Sequence, residues 1–470
     1  MNKTAEDIYI QDQEFRDHIS TVDRSGKRVW VYPHKPSGKF HNWRILVSVV
    51  LLVILFATPL IKIEGHPLML FNFFERQFII FGVAFWPQDF YLFLLATIAF
   101  FVFIILFTVV FGRIWCGWAC PQTIFMEMVF RKIEYWIEGS ASAQKKLNES
   151  PWNSQKIIKK GAKHLIFILI SVLIAHTLMA YLVGFDRVKE LVSNTPGENI
   201  AGFIGLVFFT VIFYSVFAFF REQACVTVCP YGRLQGVLLG KSSIVVAYDW
   251  VRGEPRGKLK KGQVQENNGD CIACKRCVYV CPTGIDIRNG TQLECVNCTA
   301  CMDACDDVMV KINRPKGLVR YASYNSIQEG TKSLMNARVV GYSTALLLIL
   351  TLLTYLLSTR TDVETTVLRA PGMLYQEQSN GNISNMYNLT FINKTFQDVS
   401  LNLGIKEESG IIKKLGNQEI NISSNASETG VFMIEFPKEK VNRNRNSITV
   451  QIYKDGKLMD EVKTNFIGPI

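Results

Sequence analysis

Eight cysteines between Cys271 and Cys305 fall into two consecutive C-x2-C-x2-C-x3-C runs, and this register limits the fold more than any other feature. The first run is Cys271, Cys274, Cys277 and Cys281, followed by Pro282. The second is Cys295, Cys298, Cys301 and Cys305, followed by Asp306 where a second proline would stand. Such spacing lets three thiolates of one tight loop wrap a [4Fe–4S] cluster while the fourth residue of the run crosses to the other cluster. The expected ligand sets are therefore Cys271, Cys274, Cys277 and Cys305 for one cluster, and Cys295, Cys298, Cys301 and Cys281 for the other. Structural zinc is the alternative, but it takes four ligands, usually as two separated pairs. A chain built this way moves electrons.

The rest of the sequence places those clusters at a membrane. Of 470 residues, 49% are hydrophobic, and they are concentrated in blocks. Five blocks approach the ~20 residues needed to cross hydrocarbon as a helix: Trp43 to Ile61, Phe90 to Phe111, Leu165 to Phe185, Ile200 to Phe220 and Val339 to Leu357. A shorter apolar piece, Phe78 to Trp86, ends at Pro87 and reads as interfacial or re-entrant. The polar, charged start of the chain does not read as a signal peptide.

Orientation follows from basic residues in the short loops. Seven precede the first span and eight lie between Gly112 and Ala162, against two each in Lys62–Gln88 and Asp186–Asn199. The amino-terminal arm, the middle loop and the cysteine-rich insert are expected in the cytoplasm, and the tail in the periplasm of a bacterial inner membrane. All twelve cysteines fall in segments assigned to the cytoplasmic side, where free thiols persist. The net charge of +11 is thus a topology signal rather than a nucleic-acid footprint.

The expected organisation is a cytoplasmic arm (1–42), four transmembrane helices in two hairpins (43–220), and a cytoplasmic insert (221–338) whose ferredoxin core spans about 262–314. A fifth helix (339–357) and a periplasmic module (358–470) follow. In that tail, apolar residues alternate at Leu401, Leu403 and Ile405, at Ile420 and Ile422, at Phe432, Ile434 and Phe436, and at Ile448, Val450 and Ile452. Period two indicates half-buried strands, and several of them in about 110 residues suit an immunoglobulin-like sandwich. The fold class is a multidomain membrane protein: a five-helix transmembrane bundle, an inserted α+β bacterial 2[4Fe–4S] ferredoxin domain and a carboxy-terminal all-β immunoglobulin-like sandwich.

A second cysteine signal recurs at matched helix ends. The second span runs into Cys116-Gly-Trp-Ala-Cys120-Pro121, and the fourth into Cys225-Val-Thr-Val-Cys229-Pro230. In a continuing helix, each pair of cysteines would be about 5–6 Å apart at Cβ. The following proline disfavours helix at the second cysteine, so a turn could draw the pair together. The two hairpins then look like repeats, each supplying half of a four-thiolate site. Soft thiolates select Cu(I), zinc or an Fe–S cluster, and inert buried cysteine is the alternative.

Other constellations are weaker. His176 and Met179 lie one turn apart in the third span and form a candidate soft-metal pair; packing is the competing reading. No C-x-x-C-H occurs, which excludes covalent c-type haem at the level of sequence. Gly236 to Ser242 is one residue short of a phosphate loop.

The whole chain resembles the FixG/CcoG (RdxA) family of cytochrome c oxidase accessory proteins, membrane-bound polyferredoxins. The resemblance is carried by Arg28-Val-Trp-Val-Tyr-Pro-His-Lys-Pro before the first span, both C-x3-C-P motifs, the double cysteine run and the sandwich tail. It implies a role in assembling cbb3-type oxidase, with Cu(II) reduced to Cu(I) before insertion. Cys116, Cys120, Cys225 and Cys229 would bind the metal or relay the electron. The implied partners are a cytoplasmic electron donor or quinol, the cbb3 assembly machinery and copper-handling proteins. Two other functions fit the sequence: a NapH-like quinol dehydrogenase or electron carrier, and a redox-sensing assembly scaffold.

Overall fold

The computed structural model describes residues 20–469, apart from 24, 75–76, 259–267, 331–334, 373, 415–419, 442–443 and 455. The arm upstream of residue 20, the amino-terminal edge of the expected ferredoxin core and Ile470 lie outside the described residues. Among the described residues, five helices are long and apolar enough to cross a membrane. Their α-helical parts run Lys39–Ala57, Phe90–Phe111, Ser154–Val183, Ile200–Ser215 and Ala337–Ser358. The fourth continues as a π-helical turn over Val216–Phe220.

The third helix begins eleven residues before the expected Leu165. Its first turns carry Lys156, Lys160 and Lys163 on one face, at i, i+4 and i+7. Those cations are kept out of hydrocarbon while the helix itself continues, because lysine is a good helix former. Gly184, at φ +87°, ends it.

Chain contacts divide the molecule into two compact units. One gathers 20–58, 96–180 and 186–350; the other gathers 59–95, 181–185 and 351–469. The loop Lys62–Gln88 thus belongs to the same unit as the tail, whereas Asp186–Asn199 and the cysteine-rich insert belong to the other.

In the tail's unit, two antiparallel sheets form the sandwich. One orders Ile411–Lys414, Ser427–Pro437, Asn382–Asn393 and Val363–Arg369, with Gln376–Glu377 on its flank; the other orders Ile420–Ile422, Val399–Ile405, Arg445–Lys454 and Lys457–Ile467. Inward residues such as Tyr387, Phe391, Phe432, Ile434, Val450 and Phe466 are fully buried between them. This is the alternating pattern read from sequence.

The segment Phe78–Trp86, expected to be interfacial or re-entrant, folds as the last two strands of an antiparallel meander of Met69–Asn72, Gln77–Ile80 and Val83–Phe85. It is too short to span, and it satisfies its backbone by pairing with itself, turning at Phe81 and Gly82 through positive φ. Behind it, Asp89 is 1% exposed and accepts from Arg360 Nη2 at 2.7 Å and Lys394 Nζ at 2.6 Å. Lys394 also meets Glu364 at 2.6 Å. Removing one partner of a buried ion pair leaves an uncompensated charge and costs about 3–5 kcal/mol. Asp89→Ala is therefore expected to loosen the start of the sandwich. Limited proteolysis should cut the variant after the fifth helix, and unchanged protection would refute the assignment.

The ferredoxin core is wider than 262–314. Strand Val245–Tyr248 pairs antiparallel with Val319–Ala322, and both pack on helix Ala300–Lys311 through Val246, Tyr248, Met309 and Val319. Four-residue strands flanked by loops carry too little periodicity to be seen in sequence.

Candidate iron–sulfur and four-thiol sites

The two cysteine runs fold as repeats of one loop. Ala273 and Lys275 take positive φ in the first run, and Asn297 and Thr299 do so at the matching positions of the second. Non-glycine residues held there cost about 1–3 kcal/mol each and persist only where the surroundings require them. Alternating left- and right-handed residues turn successive N–H groups inward, making the anion-binding concavity found at many Fe–S sites. After Cys277 the helix stops at Tyr279, before Pro282. After Cys301 it runs on to Lys311, because Asp306 does not break it; its carboxylate accepts from Gly317 N at 2.8 Å.

Two cavities lie inside these loops. One is lined by Cys271, Cys274, Cys277 and Cys305, with Tyr248 and Arg288. The other is lined by Cys281, Cys295, Cys298 and Cys301, and Cys277 reaches it as well. Electrostatics give the same grouping. Burial raises the Cys305 thiol, and Cys277, Cys271 and Cys274 raise it further. Burial likewise holds Cys301 well above the usual thiol value, followed by Cys298, Cys295 and Cys281. The fourth residue of each run thus lines a cavity together with the first three of the other. Sulfur-lined cradles of this kind fit [4Fe–4S] clusters. Arg288 is 7% exposed and lines the first cavity. It is held by Asp286 through bonds of 2.9 and 2.5 Å.

The paired C-x3-C-P motifs also share one geometry. Each span ends in a residue of positive φ four positions before the first cysteine, Gly112 and Arg221. A short helical turn then holds Cys116 (Ile114–Trp118) or Cys225 (Ala224–Val228). Cys120 and Cys229 are extended, with φ/ψ of −65°/124° and −67°/112°, and the proline after each opens a new helix. The proline has broken the helix at the second cysteine, as steric exclusion before proline requires.

All four thiols converge. Burial pushes Cys225 up to about 12, and the nearby Cys120, Cys116 and Cys229 sulfurs push the same way. Burial raises Cys116 to about 11 against the opposing charge of Arg113, with Cys120 and Cys229 also raising it. Gln235, wholly buried, ties the repeats together: its Oε1 accepts from Arg113 Nε at 2.8 Å and from Cys116 Sγ at 3.2 Å. The site also abuts the second run, since Cys116 packs with Val296 and Cys298. A Cβ on Gly117 would stand 2.5 Å from the Val296 carbonyl oxygen, so only glycine allows this approach.

Two features invisible in the sequence hold the arrangement. Asp303, between Cys301 and Cys305, accepts from the Phe40 and His41 amides at 3.1 and 2.8 Å. It thereby caps the first span from 263 residues away, with an anion at the positive end of the helix. The second is a buried ion network. Glu134 takes both guanidinium nitrogens of Arg221 at 2.8 Å. Arg131, 1% exposed, meets Glu127 at 2.7 Å and Glu222 at 3.5 Å. Arg28, from the arm, meets Glu222 at 2.8 Å, and Lys163 meets Glu138 at 3.0 Å. Basic residues counted above for orientation are thus also structural.

His176 bonds the Val172 carbonyl of its own helix through Nδ1 at 2.7 Å, while Met179 is buried. Neither joins the four thiols. Gly236 lies inside helix Pro230–Leu238, not in a phosphate-binding loop.

Comparison with known proteins agrees with this geometry. Residues 220–324 match the model of a 4Fe-4S dicluster domain. Residues 353–469 match the Ig-like fold at the C-terminus of FixG, and residues 93–139 match a 4Fe-4S binding domain. Protein RdxA of Cereibacter sphaeroides is 32% identical over 86% of this chain and 88% of its own. RdxB of the same organism is 33% identical over 86% and 87%. Nitrogen fixation protein FixG of Rhizobium meliloti is 37% identical over 63% of this chain and 58% of its own. The chain carries two [4Fe–4S] clusters.

Proposed function

We propose that this chain, which belongs to the FixG/RdxA family, uses its role as a membrane iron–sulfur electron-transfer protein to reduce Cu(II) to Cu(I) for assembly of a cbb3-type oxidase. The observation that carries this reading is the convergence of Cys116, Cys120, Cys225 and Cys229 against the second ferredoxin run. Soft thiolates favour Cu(I) over Cu(II), so a four-thiol site beside a one-electron centre suits the product of such a reduction. When bound, the clusters supply one-electron storage at potentials spanning about −700 to +450 mV.

Cys271, Cys274, Cys277 and Cys305 hold one cluster in this reading, and Cys295, Cys298, Cys301 and Cys281 the other. Arg288 and the inward amides of the two loops favour the reduced, more negative state. The four remaining thiols bind the copper or pass it the electron, and His176 with Met179 offers a second soft-metal pair. Each copper ion takes one electron. The reductant is a cytoplasmic one-electron donor, or a quinol that gives two electrons and two protons for two copper ions. The ferredoxin faces the cytoplasm of the inner membrane and the sandwich faces the periplasm, where it meets assembly partners.

The test mixes anaerobically reduced protein with chelated Cu(II) and follows Cu(I) by a chromogenic ligand. Wild type is expected to yield Cu(I) as the Fe–S absorbance recovers. The Cys116/Cys120/Cys225/Cys229→Ser variant should slow by at least about tenfold with its ferredoxin clusters retained. Reduction by a quinol analogue with no response to copper would replace this reading with quinol dehydrogenation. Equal copper reduction by the variant, with oxidase maturation still failing, would replace it with a scaffold role.

A further inference from the structure

We propose that Cys116, Cys120, Cys225 and Cys229 hold a third [4Fe–4S] cluster, shared between the two membrane hairpins. This deepens the electron-transfer reading and does not depend on copper being the acceptor. Four observations converge.

The four sulfurs are close enough to influence one another, each repeat reaching the other. Yet among the described residues no group of three His, Cys, Asp or Glu side chains is placed to hold a single metal ion. The eight ferredoxin cysteines, which line two cavities, share that property. Ligands spaced around a polynuclear cube, with inorganic sulfide filling the centre, are necessarily farther apart than ligands around one ion.

The second observation is the match of residues 93–139 to a 4Fe-4S binding domain. Its only cysteines are Cys116 and Cys120. Two thiolates cannot complete a cube that takes four, and the missing pair is the one the second repeat brings to the same place.

The third concerns polar groups that want an anionic partner. Gln235 Nε2 is buried without a hydrogen bond of good geometry, although Tyr231 stands beside the amide, and the same amide's oxygen engages Arg113 and Cys116. An orphaned buried donor costs about 1–3 kcal/mol, and cluster or cysteine sulfur would accept from it. Arg113, 4% exposed, supplies the buried cation that a negatively charged cluster needs.

The fourth is position. Cys116 shares a buried cluster with Val296, Cys298 and Cys301, so the third site adjoins the second ferredoxin cavity, which Val296, Cys298 and Cys301 also line. A separate cavity, lined by Cys225, Met126, Glu127 and Glu222 among others, borders the site and shares Pro282, Thr283 and Val296 with the second ferredoxin cavity, so it lies on the side of the ferredoxin.

Iron and acid-labile sulfide counted on full-length protein, purified and reconstituted without oxygen, test the proposal before copper is added. About twelve of each per chain are expected, against about eight for the ferredoxin alone. Cys116→Ser/Cys225→Ser should lose about a third of both, and Mössbauer spectra should lose one of three cubane components. Gln235→Leu, which keeps every thiol, should retain the iron but shift the midpoint potential of that component downward, since hydrogen bonds to sulfur raise it. About eight irons in fully reconstituted wild type, or a single copper or zinc released by the double variant, would overturn the proposal. Either result leaves the copper-reduction assay to be judged by itself.

Discussion

Cys271→Ser/Cys305→Ser is expected to lose about four irons per chain, whereas Cys271→Ser/Cys281→Ser should lose about eight. The first pair removes ligands around one cavity only. The second removes Cys271 from that cavity and Cys281 from the other, although both residues belong to the same sequence run. A linear arrangement, with each run closing its own cluster, gives the opposite result. Iron analysis and the EPR of the reduced protein distinguish the two. The reverse pattern, about eight irons lost in the first variant and about four in the second, would mean that the loops do not exchange their fourth cysteines.

Glu134→Ala is expected to destabilise the bundle by about 3–5 kcal/mol, the cost of leaving buried charges unpaired. Glu134 is 2% exposed, binds Arg221 twice and lies 3.7 Å from Lys163. Because Arg221 holds the positive-φ turn that sets Cys225 in place, the variant should also load less iron at the paired motifs. Burial alone would raise the Glu134 carboxyl, but Arg221, Lys163 and Arg131 together hold it below the usual carboxylate value. Its contribution is therefore complete above the pKa of the unfolded carboxyl, about 4.3, and is lost as pH falls through the lower folded value. Urea unfolding in detergent should show the variant's deficit at neutral pH and a shrinking deficit as the medium turns acid. A deficit independent of pH would place the effect in packing rather than charge.

Much of this architecture was legible in the residues because it rests on local rules. Spans follow from runs of apolar residues, and sandwich strands from alternation such as Phe432, Ile434 and Phe436. What escaped rests on contacts distant in sequence or on backbone shape. Nothing in Asp303 announces that it caps a helix starting at Lys39, and nothing in Lys275 or Thr299 advertises a left-handed backbone. The strands within Phe78–Trp86 were not legible because the Phe81–Gly82 turn is concealed within a hydrophobic stretch. Charged residues such as Arg131 were legible as a count, but not as partners, since pairing depends on which helices meet.

The carboxylate of Asp303 rides on the same short helix as Cys301 and Cys305, which serve different cavities. Whatever orders those two sulfurs also orders the lid over the opening turn of the first membrane helix. A chain starved of metal is therefore expected to fray at the first turn of that helix, and faster proteolysis near Lys39 in iron-depleted protein checks this.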